Sequence, residues 1–196
     1  LQEGQLESGK WVKNLRILEN LKPNQPINLS AIKFPLKPKN LILKTAIHEV
    51  KAMLSEAKIY LNSEFEVEYS HHYGLEKFQK YGAVIVNVIN REYCKKIIIQ
   101  LPYQKHPAHH HKLKEETFHL LHGTLDIWID GKKKRLNPGD TCLVLPGVWH
   151  SFTTETGCIF EEISTTHYNN DSVYKDIKIN KMDRSKRKTK VNHWGR

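Results

Sequence analysis

Half of the chain's twelve histidines lie in one short stretch, Lys105–Gly123, and their spacing constrains how the chain can fold. Residues i and i+2 of a β-strand point to the same face of a sheet, so His109 and His111 point together if this stretch is extended. A tight turn over residues 112–114 would bring Glu116 back beside them. The pattern therefore predicts a site built from one strand, a turn and the next strand.

A fourth ligand for this site comes from further along the chain. His150 ends the stretch GDTCLVLPGVWH and lies on a later predicted strand, from which it can close the group. Three imidazoles and one carboxylate suit Mn, Fe, Zn, Ni or Co, and the spacing alone does not choose among them. The neighbouring His106 and His110 are interpreted as surface residues. A histidine-rich surface loop is the alternative interpretation of the whole stretch.

Short segments with tight turns between them predict an all-β fold. Alternating or Val- and Ile-rich segments are typical of strands, and Asp130-Gly131 and Asn137-Pro138-Gly139 are turn signals. A series of this kind indicates a closed antiparallel barrel or a jelly roll. The predicted strands cover residues 64–69, 83–89, 96–101, 117–122, 125–129, 134–136, 141–145, 150–154 and 158–164.

One helix is predicted before the strands. Thr45 is a suitable N-cap, and apolar residues recur at helical spacing up to about Lys58. This apolar face predicts that the helix packs against the outside of the β structure. The residues on the face are Ala46, Ile47, Val50, Leu54 and Ala57.

The two histidine motifs resemble those of the cupin superfamily. The first motif is His-x-His, Glu and Gly; the second is a Gly, a Pro-x-Gly turn, a His and an Asn. The matching residues are His109, His111, Glu116, Gly123, Gly139, Gly147 and His150. Leu145 replaces the usual Pro and Thr154 the usual Asn, which bears on the turn geometry rather than on the ligands. The resemblance implies a cupin-type antiparallel β-barrel, or jelly roll, whose metal ligands are His109, His111, Glu116 and His150.

From about residue 48 to residue 179 the chain is similar to two groups of cupins. One group is the D-lyxose isomerase type of sugar isomerase, and the other is the cupin module of N-acetylneuraminate (sialic acid) synthases. The segments that carry the similarity are YG at 73–74, NREYCKK at 90–96, KEETF at 114–118, WHSF at 149–152, EEISTTH at 161–167 and DSVYKD at 171–176.

The isomerase resemblance implies two catalytic residues, Lys114 and Glu162, that face the metal. A carboxylate whose pKa lies near neutrality can move a proton between C1 and C2 of a sugar, and a lysine can stabilise the developing oxyanion. Mn is the preferred cofactor on this interpretation. The alternative for each residue is an ordinary solvated charge. The adjacent Glu115 and Glu161 have the opposite strand parity and are expected to point outward.

Composition limits the remaining function classes. The net charge of +10 comes from lysines along the whole chain, and only the stretch from residue 181 to residue 190 is a dense basic cluster. This cluster has no interleaved aromatics, so a solvated basic surface is favoured over nucleic-acid binding. Three widely spaced cysteines are typical of reduced core residues in a cytoplasmic protein, and they are Cys94, Cys142 and Cys158. No apolar run reaches membrane-spanning length.

The domain prediction has three parts. Residues 1–44 form an N-terminal arm or remnant domain, residues 45–180 form the barrel with its flanking helix, and residues 181–196 form a basic C-terminal tail. By analogy with the fold, the protein is expected to be a homodimer.

Two functions are weighed from these observations. The first is a metal-dependent aldose–ketose isomerase whose partner is a small sugar. The second is a non-catalytic, sugar-binding or auxiliary cupin module of a sialic acid synthase, which the start at Leu1 and the unassigned first 44 residues favour. Oxygenase chemistry is a third class, but only the metal ligands point to it.

Overall fold

The computed structural model describes residues 38–62 and 64–191. These residues form twelve strands and two helices. The helices are α1 (Pro38–Glu56) and α2 (Ile177–Lys181). The strands are β1 (Glu66–Ser70), β2 (Ala83–Asn90), β3 (Tyr93–Gln100), β4 (Lys105–His111), β5 (Glu116–Gly123), β6 (Leu125–Ile129), β7 (Lys132–Leu136), β8 (Thr141–Val144), β9 (His150–Thr153), β10 (Cys158–Thr165), β11 (Ser172–Tyr174) and β12 (Lys188–Val191).

The strands form two antiparallel sheets of the cupin jelly-roll type. The seven-stranded sheet has the order β12-β1-β2-β3-β10-β5-β8, and the five-stranded sheet has the order β11-β4-β9-β6-β7. Strand pairing does not join the two sheets within the described residues. The predicted all-β fold is therefore confirmed, and of the two forms expected, a closed barrel or a jelly roll, the structure shows the jelly roll.

Apolar side chains from both sheets fill the space between them. Phe118, Phe152 and Phe160 pack against one another with ring centroids 5.1–5.6 Å apart. Leu125 and Ile127 of β6 complete this inner core from the five-stranded sheet. Burial of large apolar side chains contributes about 1.5–3 kcal/mol each, so this core fixes how the two sheets face each other.

A second core lies on the other face of the seven-stranded sheet. Ala46, Val50 and Leu54 of α1 are buried there against strand residues such as Ile97 and Ile99 of β3. The predicted packing face of α1 is thus confirmed. The helix starts at Pro38 rather than at Thr45, because a proline fits the first turn of a helix, where its missing N–H is not needed.

The last described residues belong to the sheet rather than to a free tail. Strand β12 pairs with β1 at the edge of the seven-stranded sheet. Lys188 Nζ lies 2.5 Å from Glu68 Oε1. Lys190 Nζ lies 2.9 Å from Glu66 Oε1, so part of the basic cluster serves as cross-strand ion pairs. The predicted tail of residues 181–196 needs this correction up to residue 191, and the rest of it lies outside the described residues.

The two turn signals form turns as predicted, and at the second of them Asp140 N donates to Asn137 O at 2.9 Å. Asp130 and Gly131 both have positive φ values, 45° and 79°, as a two-residue β-hairpin turn requires. The motif turn also forms with Leu145 in place of the usual Pro, because Val148 N donates to Leu145 O at 3.2 Å and Gly147 takes up a φ of 78°. Within the described residues, no helix is long and apolar enough to cross a membrane.

We expect Gly123→Ala to destabilise the fold more than Gly131→Ala. Both glycines have nearly the same positive φ, so an alanine meets a similar backbone strain of about 1–3 kcal/mol at either position. A Cβ at position 123 would also lie 2.0 Å from the carbonyl oxygen of Gly157, whereas nothing lies within 4 Å of one at position 131. The clash should add about 1–3 kcal/mol, measured as the difference in urea midpoint between the two variants. Equal midpoints would contradict the close approach of the two chain segments.

Candidate metal centre

Four potential metal ligands from three strands and both sheets converge in the interior. His109 and His111 lie on β4, and His150 begins the neighbouring strand β9, where it is the cross-strand partner of His109. Glu116 begins β5 in the opposite sheet. One ligand atom from each of the four side chains lies within 4.8 Å of the others, and all four side chains are buried. The predicted convergence is therefore what the structure shows.

Each histidine is oriented by a contact on the ring nitrogen that faces away from the group. Nδ1 of His109 lies 3.1 Å from Pro107 O, and Nδ1 of His150 lies 3.1 Å from Val148 O. Nδ1 of His111 lies 3.3 Å from Ser172 Oγ. A donor bond from Nδ1 leaves Nε2 as the free lone pair, which is the arrangement that orients histidines toward a metal.

The inner atoms of the group fit a bound cation. Glu116 Oε2 and His150 Nε2 are buried without a hydrogen-bond partner among the described residues, although they lie 3.2 Å apart. Buried polar atoms of this kind normally have partners, so unsatisfied ones point to an ion or ligand. Three imidazole nitrogens and a carboxylate are a donor set that suits a divalent transition metal. The residues therefore fit the metal that their pattern predicts.

Lys114 and Glu162 both lie in this interior, as the resemblance implied. Lys114 Nζ is 2.8 Å from Glu162 Oε1 and 2.5 Å from Glu116 Oε1, so its ammonium joins the two carboxylates. A second lysine, Lys96 of β3, lies 3.0 Å from the same oxygen of Glu162. Sequence reasoning did not single out Lys96. Its inward direction follows from the pairing of Lys96 with Glu162 across β3 and β10.

The charges of the lysines set the state of Glu162. Burial raises the pKa of this carboxyl, but Lys114 and Lys96 outweigh burial and hold the pKa at about 2. Burial likewise opposes the charge on Lys114, yet the two carboxylates raise its pKa above the ordinary value. The expectation of a Glu162 carboxyl with a pKa near neutrality is therefore wrong for this arrangement. Glu162 is ionised, and two ammonium groups share its charge.

Asp171 positions the turn between β4 and β5, a role that the sequence did not reveal. Its carboxylate accepts hydrogen bonds from the backbone N–H groups of Leu113 and Lys114 at 2.8 and 3.1 Å. Its Oδ2 also lies 3.4 Å from Nδ1 of His111. One buried carboxylate thus fixes both the lysine-bearing turn and a predicted metal ligand. The signal that could have found it is the DSVYKD segment.

A β-bulge brings one more histidine inside. Between β4 and β9 the register shifts, because His106 is opposite Phe152 while His109 is opposite His150. The extra residue lies next to Pro107, which has no N–H to offer to the ladder. His106 therefore points inward and stacks on Phe152 with a centroid distance of 4.5 Å. The interpretation of His106 as a surface residue is wrong, because strand parity does not hold across a bulge.

The neighbours expected to point outward do so. Glu161 pairs with Lys95 at 2.7 Å on the opposite face of β10 from Glu162. Glu115 is exposed. His110, the other predicted surface histidine, is half-buried and lies edge-on to Trp149, with ring centroids 4.5 Å apart. These residues are suitable controls for substitutions in the interior.

Three of the four candidate ligands, His109, His111 and Glu116, line a small cavity of about 50 Å³. Its wall also includes Lys96, His167, Tyr174 and Lys188. The fourth candidate ligand, His150, borders a much larger groove of about 710 Å³ together with Trp128 and Trp149. The charged residues described above line the small cavity, so we place the chemistry there rather than in the larger groove.

Residues 97–160, which contain all four candidate ligands, match the family model of the cupin domain. The chain contains a cupin domain. The part of the chain that carries this match runs from β3 to β10, the region in which the two sheets and the metal ligands come together.

Sugar isomerases are among the proteins similar to this chain. The D-lyxose/D-mannose isomerase of Thermosediminibacter oceani is 22% identical over 176 residues, which cover 72% of this chain and 97% of that protein. The structure of Cellulomonas parahominis L-ribose isomerase with L-psicose has a TM-score of 0.58 at 12% identity and covers 72% of this chain and 94% of that one. At this identity the structural likeness shows the fold alone.

A shorter segment of the chain is similar to a protein with a different activity. Quercetin 2,3-dioxygenase of Bacillus subtilis is 38% identical over 48 residues, which cover 24% of this chain and 14% of that protein. A segment of this length spans a fraction of the cupin domain. The sugar isomerase, by contrast, is matched along nearly its whole length.

His150→Ala should weaken the binding of Mn²⁺ by more than about 100-fold, because loss of a mere supporting partner of a ligand already costs about 10–100-fold. His110→Ala should leave the affinity within about twofold of the wild type, since that ring lies beside Trp149. Competition with a metal-sensitive dye measures both affinities. A metal that binds only the folded protein also raises its melting temperature. Retention of this Mn²⁺-dependent rise in His150→Ala would remove that residue from the ligand set.

Proposed function

We propose that this chain is a divalent-metal-dependent aldose–ketose isomerase of the D-lyxose isomerase kind. The observation that carries the proposal is that Glu162 and Lys114 line one cavity with three of the candidate ligands, and that these three converge with the fourth, His150. The similarity to a D-lyxose/D-mannose isomerase over almost the full length of that protein supports it.

His109, His111, Glu116 and His150 would hold the metal. When bound, a divalent metal acts as a Lewis acid that withdraws electrons from two adjacent sugar oxygens and makes the neighbouring C–H more acidic. An acidic C–H matters here, because a carboxylate whose pKa is about 2 is a weak base. Glu162 could therefore remove this proton only when the metal has made the C–H more acidic.

Glu162 would take the proton from C2 of the aldose and return it to C1. Its ionised state, held by two lysines, is the form that accepts a proton. Lys114, which is 2% exposed, would place a fixed positive charge beside the oxygen on which negative charge develops. Because the turn that carries Lys114 is bonded to Asp171, this charge is positioned before the substrate arrives.

The substrate must open the cavity in order to bind. A volume of about 50 Å³ holds one or two waters, whereas ligand pockets measure roughly 300–1,000 Å³. Tyr174 and Lys188 form part of the wall, and they come from β11 and β12, two short strands at the sheet edges. We infer that this wall moves when a sugar enters. Edge strands with few ladder bonds are the least costly parts to displace.

The proposal extends to the native metal, the cellular location and the oligomeric state. We propose Mn²⁺ as the native metal, a cytoplasmic location and a homodimer, and metal analysis with light scattering tests the first and the last. The alternative, a non-catalytic sugar-binding or auxiliary module of a sialic acid synthase, predicts sugar binding without turnover.

Glu162→Gln should lower isomerase turnover by roughly 10²–10⁴-fold, because the amide keeps the shape of the side chain but cannot act as the base. Lys114→Met should also lower turnover, since the oxyanion loses its neighbouring charge. Glu161→Gln is the matched control, because Glu161 lies on the outer face of the same strand. Coupled-enzyme or chromatographic assays measure the rates, and Mn content should not differ between Glu162→Gln and the wild type. Equal turnover in Glu162→Gln and Glu161→Gln would contradict the assignment of the base.

The most direct test of activity is proton exchange at C2 in deuterated buffer. The Mn-loaded wild type is incubated with D-lyxose, D-mannose, L-ribose and related aldoses, and NMR follows the C2–H signal and the appearance of ketose. Exchange and ketose formation with at least one sugar are expected. A wild type that exchanges none of them, but binds one of them, would favour the auxiliary module.

A further inference from the structure

Isomerisation of an aldose requires two proton transfers, and Glu162 accounts for only one. The first transfer moves a proton from C2 to C1. The second moves a proton from the hydroxyl on C2 to the carbonyl oxygen on C1. A group that serves the oxygens must donate at one atom and accept at another, which a neutral imidazole does with its two ring nitrogens.

His167 is a histidine of the cavity wall whose ring is free for this task. It follows β10 on the segment EEISTTH and lines the same cavity as Glu162 and Lys114. Its Nδ1 is buried without a partner, and neither ring nitrogen forms a hydrogen bond with the residues that the structure describes. Buried polar atoms are rarely left in this state, so the free ring points to a ligand or a reaction.

The other histidines that line the cavity differ from His167 in this respect. His106 and His109 each have Nδ1 near the carbonyl oxygen of Pro107, at 3.2 and 3.1 Å. His111 has Nδ1 near Ser172. Their outer nitrogens are used for orientation, whereas both nitrogens of His167 remain available.

The backbone of His167 is fixed even though its ring is free. Asn90 donates from Nδ2 to His167 O at 3.1 Å and accepts from His167 N through Oδ1 at 2.8 Å. The adjacent Thr166 hydroxyl donates to Arg91 O at 2.7 Å. This two-sided bond from one asparagine holds the loop against the end of β2. The ring is therefore presented to the cavity by a rigid segment.

The surroundings of His167 keep its ring neutral. Burial is the main cause, and the nearby Lys96 and Lys114 add to it, so the pKa of His167 falls to about 3. The ring therefore carries one N–H donor and one lone-pair acceptor at neutral pH. An imidazolium would have two donors and no acceptor.

We propose that His167 contacts the substrate and relays the proton between the two sugar oxygens. This inference rests on the proposed isomerase function. Glu162 takes the proton from C2, and the C2–H electron pair forms the C1=C2 bond as the C1=O pair moves onto its oxygen. In the same step the ring nitrogen of His167 that carries no proton accepts the proton of the C2 hydroxyl, and the ring gives a proton to the oxygen on C1. Glu162 then returns its proton to C1 as the C2=O bond forms, and His167 ends neutral.

The experiment compares exchange at C2 with ketose formation in His167→Asn. In deuterated buffer with Mn²⁺ and the aldose that the wild type turns over best, ketose formation should fall by roughly 10²–10⁴-fold. The rate of exchange at C2 should also fall, but by a factor at least ten times smaller, because Glu162 and Lys114 remain in place. A residue with a merely structural role would lower both rates by the same factor.

Two further variants and one spectroscopic measurement accompany this comparison. His119→Asn is the control, since that ring lies beside Glu161 on the outer face, and its two rates should match the wild type. Asn90→Ala should lower the ratio of ketose formation to C2 exchange, as His167→Asn does, but by a smaller factor. In the wild type, addition of a polyol analogue of the sugar should move the ¹⁵N signals of the His167 ring.

The outcomes separate the two proposals. A wild type without exchange or turnover overturns the proposed function, and this inference with it. An active wild type overturns only the inference if His167→Asn keeps full ketose formation, or if both of its rates fall equally. Melting curves and metal content that match the wild type show that the variant is folded and loaded.

Discussion

The site depends on how two carboxylates remain charged between the sheets. Burial of an unpaired carboxylate costs several kcal/mol, and Glu116 and Glu162 are both almost fully buried. Lys114 meets this constraint by lying within hydrogen-bond distance of both, and Lys96 adds a second ammonium to Glu162. Removal of Lys114 would leave Glu116 without its lysine partner, and removal of either lysine would leave Glu162 with one ammonium instead of two, so the electrostatics of the site join a turn, β3, β5 and β10.

The same constraint explains why the candidate ligands are shared between the sheets. The three histidines come from adjacent strands of the five-stranded sheet, whereas Glu116 comes from the seven-stranded sheet. The phenylalanine core holds the sheets face to face, and Asp171 fixes the turn that crosses from one to the other. Core packing and the contacts of Asp171 therefore both hold the candidate ligands of the two sheets close together. A metal bound by all four side chains would in turn stabilise the association of the sheets.

Local spacing explains what the sequence could predict and what it could not. The positions of His109, His111 and Glu116 follow from strand parity and a short turn, both of which are readable along the chain. The inward turn of His106 depends on a bulge, and the contacts of Lys96 and Asp171 depend on strands and loops far apart in sequence. Strand β12 was missed for the same reason, because a lysine-rich edge strand is stabilised by its partner and not by its own apolar pattern.

We propose that sugar chemistry takes place at the candidate metal centre, beside Glu162 and Lys114. A crystal structure of the Mn-loaded protein with a bound aldose or polyol tests this most directly. We expect Mn within about 2.0–2.2 Å of the three Nε2 atoms and the Glu116 carboxylate, by analogy with zinc sites, with two adjacent sugar oxygens on the metal and Glu162 beside the C1–C2 bond. A sugar found only in the larger groove beside Trp128 and Trp149, with Mn bound away from these four side chains, would contradict a catalytic metal at this site.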